Sequence, residues 1–267
     1  MTCSRFLQLS SSPLLSVFFT AGFPRLNDTV PIAQALQRAG VDIIEIGFPF
    51  SDPVADGPTI QESNIRALGN GMSMKALFQQ LRSLRTSGLT IPVLMMGYLN
   101  PVEQYGCERF FEEAARCGVD GLIIPDMPFD EYSRRYRELY RRHSLKPVFL
   151  VTSRTEEPRI REFDREEPAF IYVLSSDAVT GGKAVVTGER EAFFKRLQAM
   201  HLSSRLMIGF GVSDRDSFSA VVRYSSGAII GSAFLRSISD TRASGTECSS
   251  DVTELESNVK KFISGVR

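Results

Sequence analysis

Eight compact apolar runs recur along the chain, each closed by a turn rich in glycine, proline or aspartate and followed by a stretch with apolar residues three and four apart. The runs are Leu14–Thr20, Val41–Gly47, Pro92–Gly97, Gly121–Pro125, Val148–Thr152, Phe170–Ser175, Leu206–Gly211 and Gly227–Gly231. They lack strict alternation, as strands covered on both faces do. The stretches between them, such as Phe110, Phe111, Ala114 and Ala115, or Phe193, Phe194, Leu197 and Met200, carry helical spacing. Eight strand–helix units in roughly 230 residues predict an α/β fold, a (β/α)8 TIM barrel, over an open doubly wound sheet with its usual five or six strands. The polar first twelve residues, with Phe6, Leu7 and Leu9 as anchors, predict an extra short N-terminal helix that plugs one end of the fold. A Ser/Thr/Asp/Gly-rich loop over residues 237–250 precedes a last helix near Val252–Ile263. The 267 residues are expected to form one domain, residues 1–267.

Barrels of this kind build their sites at the C-terminal ends of the strands and in the loops that follow. Glu45, Asp56, Asn100, Asp126 and Thr180 fall there, whereas His143 and His201 fall at helix ends on the opposite face. Glu45 is the odd member of its strand, a carboxylate between Ile44 and Ile46. Burying it costs several kcal/mol unless it is paired, hydrogen-bonded or kept neutral by a raised pKa. Asp56 follows in a loop stiffened by Pro49, Pro53 and Pro58. One acid on a strand end and one on an ordered loop make a candidate proton-transfer pair. The bland reading is a satisfied buried acid and a solvated turn residue.

Three glycine-rich turns follow the sixth, seventh and eighth strands: Thr180-Gly181-Gly182, Gly209-Phe210-Gly211 and Gly231-Ser232. Close backbone approach and the free amides of a following helix suit a phosphate, and barrels commonly hold phosphate at this place. No lysine stands at the C-terminal end of a strand to form a Schiff base, and no His/Cys spacing suggests a metal site. The residue pattern leaves acid–base chemistry on a phosphorylated substrate. Phe170 and Tyr172 share inward parity on strand six, and Phe18, Met96 and Tyr98 could extend an aromatic wall.

Charge narrows the partners. Lys plus Arg equals Asp plus Glu at 31 each, so no global field draws the chain to nucleic acid or an anionic membrane. The apolar stretch Pro13–Phe23 is far shorter than the ~20 residues of a membrane span. Cys3, Cys107, Cys117 and Cys248 form no disulfide or metal framework, which fits a reducing cytoplasm.

The stretch Glu45-Ile46-Gly47-Phe48-Pro49-Phe50-Ser51-Asp52-Pro53-Val54-Ala55-Asp56-Gly57-Pro58 resembles the tryptophan synthase alpha subunit family. Tyr98-Leu99-Asn100-Pro101, residues 118–126 and Gly209-Phe210-Gly211 extend the likeness across nearly the whole chain. The resemblance implies retro-aldol cleavage of indole-3-glycerol phosphate to indole and glyceraldehyde 3-phosphate. It implies that Glu45 shuttles protons, Asp56 stabilises the charged indolenine and Tyr172 lines the site. Phe18 and Met96 would hold the indole, and Thr180, Gly181, Gly211, Gly231 and Ser232 the phosphate. No cofactor or metal is implied in this chain. An α2β2 complex with a pyridoxal-phosphate beta subunit is implied, faced by Phe50, Ser51, Asp52, Pro53, Asn100 and Pro101. The chain departs from the family's pattern at Asp177 and Ala178, at Phe23, and at Thr152-Ser153-Arg154-Thr155. The altered loop leaves an alternative reading open, an alpha-like subunit that mainly activates its partner.

Overall fold

The computed structural model describes residues 5–9, 13–174, 186, 188–209, 211–239 and 249–267. Eight strands run parallel: β1 Leu14–Thr20, β2 Ile43–Gly47, β3 Val93–Met96, β4 Gly121–Ile123, β5 Lys146–Val151, β6 Ile171–Leu174, β7 Leu206–Gly209 and β8 Gly227–Ile230. They hydrogen-bond in sequence order and β1 closes on β8, giving the (β/α)8 barrel. Most apolar runs outlast their strands by a residue or two, several of them at a terminal Gly or Pro. The first run coincides with β1, and β5 starts two residues before its run, at Lys146 and Pro147. Lys146 keeps its ammonium outside, donating to the Glu167 carbonyl at 3.0 Å, so a charged residue opens a barrel strand without being buried.

Alternate residues divide the apolar content into two cores. Leu15, Val17, Phe19, Ile44, Ile46, Val93 and Val173 point outward beneath the helices. Leu14, Ile43, Leu94, Ile123, Val148, Phe170, Met207 and Ile229 fill the barrel interior. Phe6 joins this inner set. The expected N-terminal helix is a single 3-10 turn, Arg5–Gln8; four residues are too few for an α-helix to repay its nucleation. The turn is nonetheless a plug, fixed by Arg5 to Asp120 at 2.7 Å and by Arg205 to the Phe6 carbonyl at 3.0 Å. That end of the barrel is therefore filled, and open space lies at the other. The last helix spans Ser249–Ser264, three residues longer than expected at its start. No helix among the described residues is long and apolar enough to cross a membrane.

Candidate active site

Side-chain parity on β1 and β2 sets the first half of the site. Ser16 and Phe18 on β1 face the same interior as Glu45 on β2, and Phe18 is the register neighbour of Glu45. Glu45 has no solvent exposure. Its Oε1 accepts a hydrogen bond from the Ser16 hydroxyl at 2.6 Å, while Oε2 has no partner. Burial pushes its pKa up to about 7, and the Ser16 hydrogen bond opposes that rise. One level higher, the Phe18 ring lies against Gly47, where a Cβ would stand 2.7 Å from the ring. Tyr172 on β6 lies closer still to Gly209 on β7, where a Cβ would collide with the phenol. Two rings packed against two glycines stand at the open end of the barrel.

The second half comes from residues 48–57. The Asp56 amide donates to the Pro53 carbonyl at 3.0 Å, and Gly57 gives way to the helix Pro58–Gly69, which carries Pro at its first position. Tyr98 fixes the acid itself. Its hydroxyl donates to Asp56 Oδ2 at 3.0 Å and accepts from the Ala55 amide at 2.9 Å. Burial raises the Asp56 pKa to about 6, and the Tyr98 hydrogen bond opposes the rise. Both carboxylates act on one further group: burial first, and then the charges of Glu45 and Asp56, hold the Tyr172 hydroxyl well above the usual phenol range. The two acids thus share one end of the barrel.

A cavity of about 240 Å³ opens here. Phe18, Met96, Leu150, Tyr172, Leu174 and Ile229 form its apolar wall. Asp56 borders it, and Gly211, Gly231 and Ser232 make its glycine-rich side. Glu45 does not reach the wall; it lies beneath, held by Ser16. Gly231 and Ser232 open the helix Ser232–Ser239, whose first-turn amides lack intrahelical acceptors. The seventh-strand turn differs from expectation. Gly211 takes a positive φ of 78°, but the helix after it starts at Arg215 and is capped by Asp214, whose side chain accepts from the Ser217 amide at 2.9 Å. That helix end is occupied by a carboxylate of its own, leaving the Gly211–Val212 backbone to border the cavity.

The family model of the tryptophan synthase alpha chain matches residues 7–264. The chain belongs to the tryptophan synthase alpha chain family. The alpha chain of Flavobacterium psychrophilum is 48% identical over 231 residues, 86% of this chain and 91% of that one. The alpha chain of Parabacteroides distasonis is 48% identical over 229 residues, with 86% and 89% covered. Among solved structures, a tryptophan synthase alpha chain from Legionella pneumophila superposes with a TM-score of 0.84 at 26% identity, covering 99% of this chain and 98% of that one. A Mycobacterium tuberculosis tryptophan synthase structure gives 0.81 at 26% identity, over 98% and 96%. Alpha chains are lyases that cleave indole-3-glycerol phosphate.

Within the alpha-chain frame, several sequence expectations need correction. Tyr98 is absent from the cavity wall and serves as the hydrogen-bond donor to Asp56. Pro53 is buried within its loop and has little surface to offer a partner, whereas Ser51, Asp52 and Asn100 are exposed and Phe50 and Pro101 half-buried. Asp126 caps the helix Leu99–Tyr105, accepting from the Leu99 amide at 2.9 Å. The departure at Phe23 is a packing feature: the ring is buried under the Arg66 guanidinium, 4.7 Å from its centroid. Thr152–Thr155 also stands off the cavity. Thr180, Gly181 and the altered loop at Asp177 and Ala178 lie outside the described residues, as does Phe210. Ser16 and Arg236 were missed from the sequence. Ser16 had a legible signal, a hydroxyl at inward parity beside the strand that carries Glu45.

Proposed function

We propose that Glu45 and Asp56 are the acid–base pair for retro-aldol cleavage of indole-3-glycerol phosphate to indole and glyceraldehyde 3-phosphate. The observation that carries this reading is the unequal burial of two carboxylates at one end of the barrel. Glu45, with a pKa near 7, is half protonated at neutral pH and suits a proton shuttle. Asp56, with a pKa near 6, is mostly ionised there and suits a growing positive charge. In the first step Glu45 turns from Ser16 and gives its proton to the ring carbon bearing the glycerol chain, and the indole nitrogen becomes cationic. Asp56 accepts the N–H hydrogen bond and stabilises that cation. Glu45, now ionised, takes the proton of the adjacent chain hydroxyl. The carbon–carbon bond breaks, its electron pair restores the aromatic ring, and the hydroxyl carbon becomes the aldehyde. No proton is gained or lost overall. Phe18, Met96 and Tyr172 hold the ring, and the backbone at Gly211, Gly231 and Ser232 receives the phosphate.

Alpha chains act without a cofactor of their own, and pyridoxal phosphate belongs to the beta subunit; the family forms complexes with that subunit. We extend this to an α2β2 assembly in the cytoplasm, docked through the exposed part of Phe50–Asp52 and through Asn100 and Pro101, with residues 1–267 as one domain. The test is indole release from indole-3-glycerol phosphate, with and without a beta subunit, across pH. The expected kcat/KM profile is bell-shaped, falling below about 6 as Asp56 protonates and above about 7 as Glu45 loses its proton. No release above buffer with the beta subunit present would reject the reading.

Ser16 gives a sharper test of the shuttle. Its hydrogen bond favours the ionised form of Glu45, and a hydrogen bond to a charged group is worth roughly 1.5–3 kcal/mol. Ser16→Ala is expected to move the alkaline limb of the profile upward by about one pH unit and leave the acid limb in place. A limb that stays put shows that another group titrates there.

A further inference from the structure

The cavity mouth holds a cation that the acid pair does not use. Arg236 is the only basic residue among the described residues that line the cavity. It stands four residues beyond Ser232 on the helix Ser232–Ser239. Helical side chains lean toward the N-terminus of their helix, so Arg236 leans toward the turn that opens at Ser232, and Ser232, Ala233 and Arg236 line the same cavity. The residue is exposed, and among the described residues no carboxylate pairs with it. Its one side-chain bond there is from Nη1 to the Thr59 hydroxyl at 3.2 Å. Thr59 belongs to the first turn of Pro58–Gly69 and lines the same cavity.

Several half-buried arginines of the fold are committed to carboxylates, and others, such as Arg205 and Arg196, to backbone carbonyls. Arg85 and Arg5 hold Asp120 at 2.6 and 2.7 Å, and Arg137 holds Glu166 at 2.7 Å. Arg236 holds only a neutral hydroxyl, at the edge of a cavity whose glycine-rich side suits an anion. Exchanging that contact for a bond to a dianion replaces a neutral partner by a charge-assisted one, which is stronger and, for a guanidinium, can be bidentate. We propose that Arg236 is a substrate-binding residue whose guanidinium pairs with the phosphate of indole-3-glycerol phosphate and of glyceraldehyde 3-phosphate. It thereby sets the preference of the site for phosphorylated over unphosphorylated ligands. The proposal rests on the lyase reading above for the identity of its ligands.

The test is calorimetric titration of the full chain and its Arg236→Met and Arg236→Lys variants with glyceraldehyde 3-phosphate and, separately, with indole. Arg236→Met is expected to bind glyceraldehyde 3-phosphate about tenfold more weakly, with the loss shrinking at high salt. Indole, which carries no charge, is expected to bind within about twofold of the wild type, and Arg236→Lys to retain most of the phosphate affinity. An unchanged affinity of Arg236→Met for glyceraldehyde 3-phosphate overturns the proposal, and so does an equal loss for indole, which would mark a structural role. A wild type that binds glyceraldehyde 3-phosphate but releases no indole from indole-3-glycerol phosphate rejects the lyase reading alone. A wild type that does not bind glyceraldehyde 3-phosphate rejects both.

Discussion

Replacing Glu45 by glutamine is expected to lower kcat for indole release by about 10²–10⁴-fold while making the fold more stable at alkaline pH. The two effects have one cause. Folding carries the Glu45 carboxyl from a pKa of 4.5 to about 7, and a tenfold change in proton affinity is worth about 1.4 kcal/mol. The native state therefore binds this proton more tightly than the unfolded chain. Its contribution to stability is fully present below about pH 4.5 and is lost as pH rises through about 7, a swing of about 3 kcal/mol. Glutamine keeps the acceptor for Ser16 and never ionises. Urea denaturation of both proteins should show a gap that opens between pH 4.5 and 7 and stays level above. Parallel curves across that window would mean that Glu45 ionises without cost. Affinity for glyceraldehyde 3-phosphate should hardly change, because the acid lies beneath the cavity wall.

Asp56→Asn is expected to cost about 10²–10³-fold in kcat and, because burial raises the Asp56 pKa from 3.8 to about 6 on folding, to make the fold more stable than the wild type above about pH 6. The asparagine carbonyl can still accept the Tyr98 hydroxyl, so the loop is retained and only the charge goes. The acid limb of the pH profile near 6 should vanish with it. Survival of that limb in the variant would assign the titration elsewhere, and a rate loss repaired by lowering pH would contradict an electrostatic role.

The fold and the placement of Glu45 and Asp56 at one end of the barrel were legible for the same reason: each breaks or keeps a short-range pattern. Eight unalternating runs make eight strands, and a carboxylate amid isoleucines cannot be an accident of exposure. Tyr98 was legible as a ring but not as a donor, because its partner Asp56 lies 42 residues away and only the closed barrel brings the two together. Asp214 and Pro53 illustrate a second limit. Glycine-rich turns and exposed-looking loops are read from composition, yet whether an amide is already capped, or a proline already covered, depends on atoms several residues off. Arg236 carries no pattern that marks it in the sequence; only the cavity, lined from Phe18 to Arg236, gives it a neighbourhood. Phe6 was legible as an anchor, while the 3-10 form of its turn follows from a segment, Arg5–Gln8, too short for an α-helix.

The close packing of Tyr172 against Gly209 also orders the evolutionary routes open to this chain. A methyl group gained first at position 209 collides with the ring, and overpacking of that kind typically costs about 1–3 kcal/mol. Shrinking position 172 first leaves a gap that a later alanine can fill. Descendants exploring new ligands at this wall must therefore give up the phenol before they gain bulk on the neighbouring strand, and the two sites should drift as a couple.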